Sequence, residues 1–168
     1  MIRPVTPEDT SAIVRLTAET EMFKPLEIRA LQEVLDDYFK ESMGLGHRAY
    51  LLEEGHRVLG YIYYAPASMA DNTWYVYWIA VAPACQGKGI GAMLLNWAED
   101  DARMRDGRLM FIETSMLPHY GPTRQFYFRR GYDMAARLAD WYADGDDMVV
   151  FRKRLTGLDA SVLPSIDA

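Results

Sequence analysis

The sequence has a single cysteine, Cys85, in 168 residues. That scarcity excludes an internal disulfide framework and a cysteine-rich zinc site. Histidine is nearly as rare: His47, His56 and His119 are far apart and lack metal-ligand spacing, so no metal site is expected. No apolar run approaches the roughly 20 residues needed to cross a bilayer, so no membrane partner is expected. The opening Met1 to Asp9 has no apolar leader, and the expected compartment is the cytoplasm. Basic residues are outnumbered, 18 against 24 acids, for a net charge of −6. Nucleic acid is therefore not expected as a partner, because phosphate binding draws on an excess of Lys and Arg. A cationic small molecule suits the balance better than an anionic one.

Apolar residues, in contrast, make up 50% of the chain. A chain of this length is expected to form one domain and to bury about 70% of its unfolded surface. Thr6-Pro7-Glu8-Asp9 reads as a helix start, with Thr6 as cap and Pro7 at the first helical position. That helix is expected to reach Glu19, and a second runs from Leu26 to Ser42. Strands are predicted at the N-terminus and over 48–53, 57–65, 74–81 and 109–114. A helix from the glycine-rich turn to Asp106 should bury Ile90, Met93, Leu94, Trp97 and Ala98. A short helix over 123–130 ends at Gly131. Two last strands, 132–138 and 148–155, flank an Asp/Gly-rich loop over 140–147. The order predicts an α/β domain over 1–155 built on a mixed sheet, with a small, polar and mobile tail over 156–168.

The most informative stretch is Val81-Ala-Pro-Ala-Cys-Gln86-Gly87-Lys88-Gly89-Ile90-Gly91. Alternate glycines let the backbone approach a ligand, and the helix behind them aims free N–H groups at it. A diphosphate suits such a turn. The spacing is not the dinucleotide pattern Gly-x-Gly-x-x-Gly, and no Gly-Lys-Ser/Thr of a P-loop is present. Val-x-Pro followed by Gln-Gly-x-Gly-x-Gly resembles the acyl-CoA motif of the GNAT N-acetyltransferases. Phe126-Tyr127-Phe-Arg-Arg-Gly131-Tyr132 is similar to a second signature of that family, and it follows at the expected distance.

The resemblance implies the GNAT fold: a mostly antiparallel seven-stranded sheet, splayed between its fourth and fifth strands and flanked by helices. It implies acetyl-CoA, held by Gln86, Gly87, Lys88, Gly89, Ile90, Gly91 and Ala92 at the diphosphate. Backbone of Ile79, Ala80 and Val81 would meet the pantetheine and polarise the thioester. Tyr127 matches the family tyrosine that protonates the departing thiolate. The fourth-strand glutamate of many members is absent, with Tyr75 and Tyr77 in its place. Glu113 instead resembles a glutamate of ribosomal-protein N-terminal acetyltransferases and is the candidate base. His119 and ordered water are alternatives. Cys85 lacks the partners of a catalytic thiol.

In the family the acceptor enters opposite CoA, walled by the opening helices and the loop between the last strands. Phe23, Tyr75, Tyr77, Glu113, Trp141 and Tyr142 are the candidate acceptor contacts. Acids and aromatics together suit a small primary amine such as an amino acid, a polyamine or a related metabolite. A peptide N-terminus is the alternative acceptor, and a non-catalytic acyl-CoA sensor is the alternative function. Exposed aromatic strands suggest a homodimer.

Overall fold

The computed structural model describes residues 1–156, so the expected tail lies, apart from Thr156, outside the described residues. The chain forms β1 (Ile2–Pro4), α1 (Thr10–Glu19), α2 (Pro25–Asp37), β2 (Arg48–Glu54), β3 (Arg57–Pro66) and β4 (Thr73–Val81). It continues through α3 (Ile90–Arg103), β5 (Leu109–Ser115), α4 (Gly121–Arg129), β6 (Asp133–Ala143) and β7 (Asp146–Arg154). The seven strands make one sheet in the order β1-β2-β3-β4-β5-β7-β6. All neighbours are antiparallel except β4 and β5.

Local chemistry explains where the helices begin. Pro7 opens a 3₁₀ turn, Pro7–Asp9, so α1 proper starts at Thr10 rather than directly after Thr6. The Thr6 N–H donates to Asp9 Oδ2 at 2.8 Å, and Arg3 grips the same carboxylate at 2.7 and 2.9 Å. Arg3 also reaches Glu53 at 2.8 Å, tying the helix start to β1 and β2. At α2 the Lys24 N–H donates to Glu27 Oε2 at 2.6 Å ahead of Pro25 at the first helical position. A single π turn, Tyr38–Ser42, extends this helix and buries Tyr38.

Helices cover both faces of the sheet. The α1 face is marked by the hydroxyls of Thr17 and Tyr61, 2.8 Å apart. Tyr64, three residues on and so on the opposite face, donates to Asp101 of α3 at 2.8 Å. The buried stripe of α3 is Ile90, Leu94, Leu95, Ala98 and Ala102. Met93 and Trp97, expected inside, are 51% and 40% exposed. At 100° per residue they fall beyond the edge of that stripe, and Trp97 lays its ring on Tyr50 instead.

The stripe also contains two carboxylates. Glu99 accepts from Tyr132 at 3.0 Å, Lys153 at 2.7 Å and Arg103 at 3.2 Å. Asp101 accepts from Tyr64 and from Arg105. Buried charges persist only when paired in this way.

The last hairpin departs from expectation as well. Residues 140–143 and 146–147 belong to β6 and β7, so the expected loop shrinks to Asp144-Gly145, with Gly145 at φ +78°. Asp140 and Asp147 stitch this end of the hairpin together: the Asp140 N–H donates to Asp147 Oδ1 at 2.9 Å.

Glu99→Ala is expected to destabilise the fold by about 2 kcal/mol, because it strands three buried or half-buried donors. Urea unfolding should show a lower midpoint with an unchanged slope. An unchanged midpoint would contradict the assigned role.

Candidate active site

The site begins where two strands part. β4 and β5 pair in parallel from Thr73 with Leu109 to Val76 with Ile112, and no further. Beyond that point β4 runs on to Val81, held only by β3 on its other side, as far as Gly60 opposite Val81. β5 runs on to Ser115 beside β7. The opened wedge is a cleft of about 750 Å³, floored by Val76–Val81 and Ile112–Thr114 and walled by α4. Within β4, Tyr63 faces Trp78 while Tyr64 faces Val76, so Tyr77 is an unpaired bulge residue. Its ring is half exposed and lines the cleft.

The glycine-rich turn forms one mouth of this cleft. Gly87 and Gly89 adopt φ +74° and +81°, and nothing lies within 4 Å of where a Cβ would stand on either. Glycine is needed there for the left-handed backbone, not for room. Gly89 is followed at once by α3, whose opening N–H groups carry no side-chain cap. Free amides and the positive end of a 14-residue helix make an anion seat. Gln86, Gly87, Gly89, Ile90, Gly91 and Ala92 line the cleft together with Ile79, Ala80 and Val81. Lys88, expected beside the diphosphate, does not: its Nζ donates back to the Ala84 carbonyl at 3.0 Å. Arg129 and Arg130 supply positive charge at the cleft wall instead. Their signal in the sequence is a basic pair, in an acidic chain, inside the Phe126–Tyr132 signature.

Tyr127 projects from α4 into this space. It is only 4% exposed, packed against Phe126, Tyr132 and Phe151. Among the described residues its hydroxyl has no hydrogen-bond partner, and it lines the cleft. Burial pushes the phenol above its ordinary range, so it remains a neutral donor. Cys85 is buried nearby at the cleft edge.

Glu113 lines the floor on the β5 side. Tyr75 donates to Glu113 Oε2, and the Tyr142 hydroxyl is 3.4 Å from Oε1. Burial and the facing carboxylate push both phenols up. Phe23 packs against Trp78 at 5.3 Å and lines the same side. His119 lines the cleft too, beside Tyr120, whose hydroxyl donates to the Met22 carbonyl at 2.5 Å. Of the expected acceptor contacts, Phe23, Tyr77 and Glu113 line the cleft, while Tyr75 and Tyr142 stand behind the lining and join it through Glu113. Trp141 lies outside, 60% exposed on β6 and away from the cleft lining. Among the described residues no cluster of metal-ligating side chains occurs, and no helix is long and apolar enough to cross a membrane.

The chain belongs to the acetyltransferase (GNAT) family, whose model matches residues 14–132. It is thus an acyl-CoA-dependent N-acyltransferase that uses acetyl-CoA. An N-acetyltransferase of Methanocaldococcus jannaschii, itself described as uncharacterized, is 28% identical over 142 residues, covering 79% of this chain and 88% of that protein. A GNAT-family acetyltransferase from Desulfovibrio desulfuricans has 35% identity and a TM-score of 0.89, covering 93% of this chain and 99% of that one. More distant structures share the fold. An aminoglycoside 6′-N-acetyltransferase complexed with coenzyme A has a TM-score of 0.74 at 16% identity, over 94% of this chain and 98% of that one. The ribosomal-protein-S18-alanine N-acetyltransferase of Escherichia coli has 0.76 at 14%, over 98% and 99%.

A left-handed backbone costs an alanine about 1–2 kcal/mol. Gly89→Ala is therefore expected to weaken CoA binding by roughly tenfold in calorimetric titration, with an unchanged circular dichroism spectrum. Undiminished affinity would contradict the role of the turn.

Proposed function

We propose that the chain transfers an acetyl group from acetyl-CoA directly to the primary amine of a small molecule, such as an amino acid, a polyamine or a related metabolite. The observation that carries this reading is Glu113, a cleft-lining carboxylate that accepts from Tyr75 and has the Tyr142 hydroxyl 3.4 Å away. A carboxylate among aromatic rings is a receptor for an ammonium group. Glu27 and Asp146, whose charges bear on Tyr142, add local negative charge that favours a cationic acceptor.

Bound acetyl-CoA supplies an activated thioester carbonyl. The N–H groups of the Gln86–Ala92 turn hold its diphosphate, Arg129 and Arg130 add charge beside it, and backbone of Ile79–Val81 holds the pantetheine. Glu113 takes the first proton from the acceptor's ammonium, because only the free amine can attack. The new C–N bond forms as the C–S bond breaks. Tyr127 gives its proton to the departing sulfur, and the second proton leaving nitrogen restores the phenol. Glu113 returns the first proton to water.

A second reading, acetylation of a peptide N-terminus, draws support from the position of Glu113 near the end of β5, where it resembles a glutamate of ribosomal-protein N-terminal acetyltransferases. Thiol release from acetyl-CoA separates the two across glycine, L-lysine, putrescine, spermidine, tyramine and short peptides. Turnover on the small amines alone is expected. Turnover on peptides alone would replace this reading with the second, and binding without turnover would make the domain a sensor. Tyr127→Phe is expected to lower kcat about 100-fold with little change in the KM for acetyl-CoA. Because burial holds its phenol up, Tyr127 should cause no alkaline loss of activity below about pH 10. An unchanged kcat would sink the acid assignment.

A further inference from the structure

We propose that Tyr75 and Tyr142 are positioning residues for Glu113: one from β4 and one from the bulged end of β6, they hold its two carboxylate oxygens in a fixed orientation toward the acceptor amine. This rests on the reading of Glu113 as the group that meets the acceptor. Glu113 stands one residue past the last β4–β5 pair, so only β7 fixes its backbone, opposite Val150. Its side chain is exposed and has three rotatable bonds. The two tyrosines supply the restraint that its own strand does not. Tyr75 sits opposite Phe111, two residues before Glu113 in the parallel register, and donates to Oε2. Tyr142 comes from the far side of β7 and sets its hydroxyl 3.4 Å from Oε1, a longer and weaker contact than that of Tyr75.

That reach depends on an irregularity built into β6. Pairing with β7, already shifted once at Ala135, breaks after Leu138 opposite Met148 and resumes at Ala143 opposite Asp146. Residues 139–142 therefore stand against a single residue, Asp147. Asp140 turns there at φ +53°, and three contacts lock the bulge. Asp147 accepts from the Asp140 N–H at 2.9 Å and from Arg137 at 2.6 Å, and the Gly145 N–H donates to Asp140 Oδ1 at 2.7 Å. Bulges beside active sites re-aim side chains. Here the re-aimed residue is Tyr142, which is half-buried while every other residue of β6 is exposed. Both phenols lie above their ordinary titration range, so each stays a donor. A carboxylate accepts about four hydrogen bonds. Two are used, and the remaining lone pairs are left for an ammonium.

The test is a mutant cycle measured by thiol release, using the amine of the panel above that turns over fastest. Tyr75→Phe is expected to raise the KM for that amine about tenfold, as loss of a hydrogen bond to a charged group does, and Tyr142→Phe, which loses the longer contact, about threefold. The KM for acetyl-CoA should not move, and neither change should add to the defect of Glu113→Gln. A Glu113→Gln variant with normal kinetics would overturn the underlying reading of the site. A defective Glu113→Gln beside unaffected tyrosine variants would overturn the positioning role alone, as would defects that simply add. If Tyr75→Phe fails to fold by circular dichroism, Tyr142→Phe on the hairpin decides the matter by the same criteria.

Discussion

The parting of β4 from β5 after Val76 and Ile112 is the constraint on which the rest of the molecule depends. Backbone amides and carbonyls in a sheet normally find partners, so a strand that continues without one offers its edge to a ligand. β4 survives the loss because β3 holds its other edge through to Val81. That support is tight. A Cβ on Gly60 would stand 2.8 Å from the Ala80 carbonyl oxygen and 3.1 Å from Leu94. Only glycine lets β3, β4 and the start of α3 approach so closely, and this contact sets where the glycine turn sits relative to the wedge.

The acidity of the chain and the anionic cofactor of its family are compatible for a local reason. At 0.1 M salt, charges are screened beyond about 10 Å. A diphosphate at the turn therefore responds to the free N–H groups of α3 and to the nearby arginines, not to a net charge of −6. The acids act where they cluster. Glu113, Glu27 and Asp146 all bear on Tyr142, and Lys24 is 3.8 Å from Asp146.

Much of this was legible in the residues. The turn from Val81 to Gly91 declares itself through glycines, two of which, Gly87 and Gly89, take a positive φ, and Tyr127 through the Phe126-Tyr127-x-x-x-Gly131-Tyr132 pattern. The element order also survives, since it follows from apolar periodicity and turn residues. Three features escaped. Met93 and Trp97 look like core on a helical repeat, but the acids Glu99 and Asp101 belong to the true stripe, paired by tyrosines distant in sequence. The β6–β7 hairpin reads as a loop because its aspartates are turn formers, yet hydrogen bonds across the bulge carry both strands through to Ala143 and Asp146. Lys88 looks like a phosphate ligand but finds a carbonyl four residues back. Distant and cross-strand partners decide the first two, and a backbone carbonyl within the same turn decides the third.

The central claim is that the wedge between β4 and β5 is where acetyl-CoA and amine meet. A crystal structure of the chain grown with CoA tests it most directly. The account predicts the pantetheine arm between Tyr77–Val81 and Ile112–Thr114, its diphosphate on the turn from Gln86 to Gly91, and its sulfur near the Tyr127 hydroxyl. CoA bound elsewhere, with the wedge left to solvent, would contradict it.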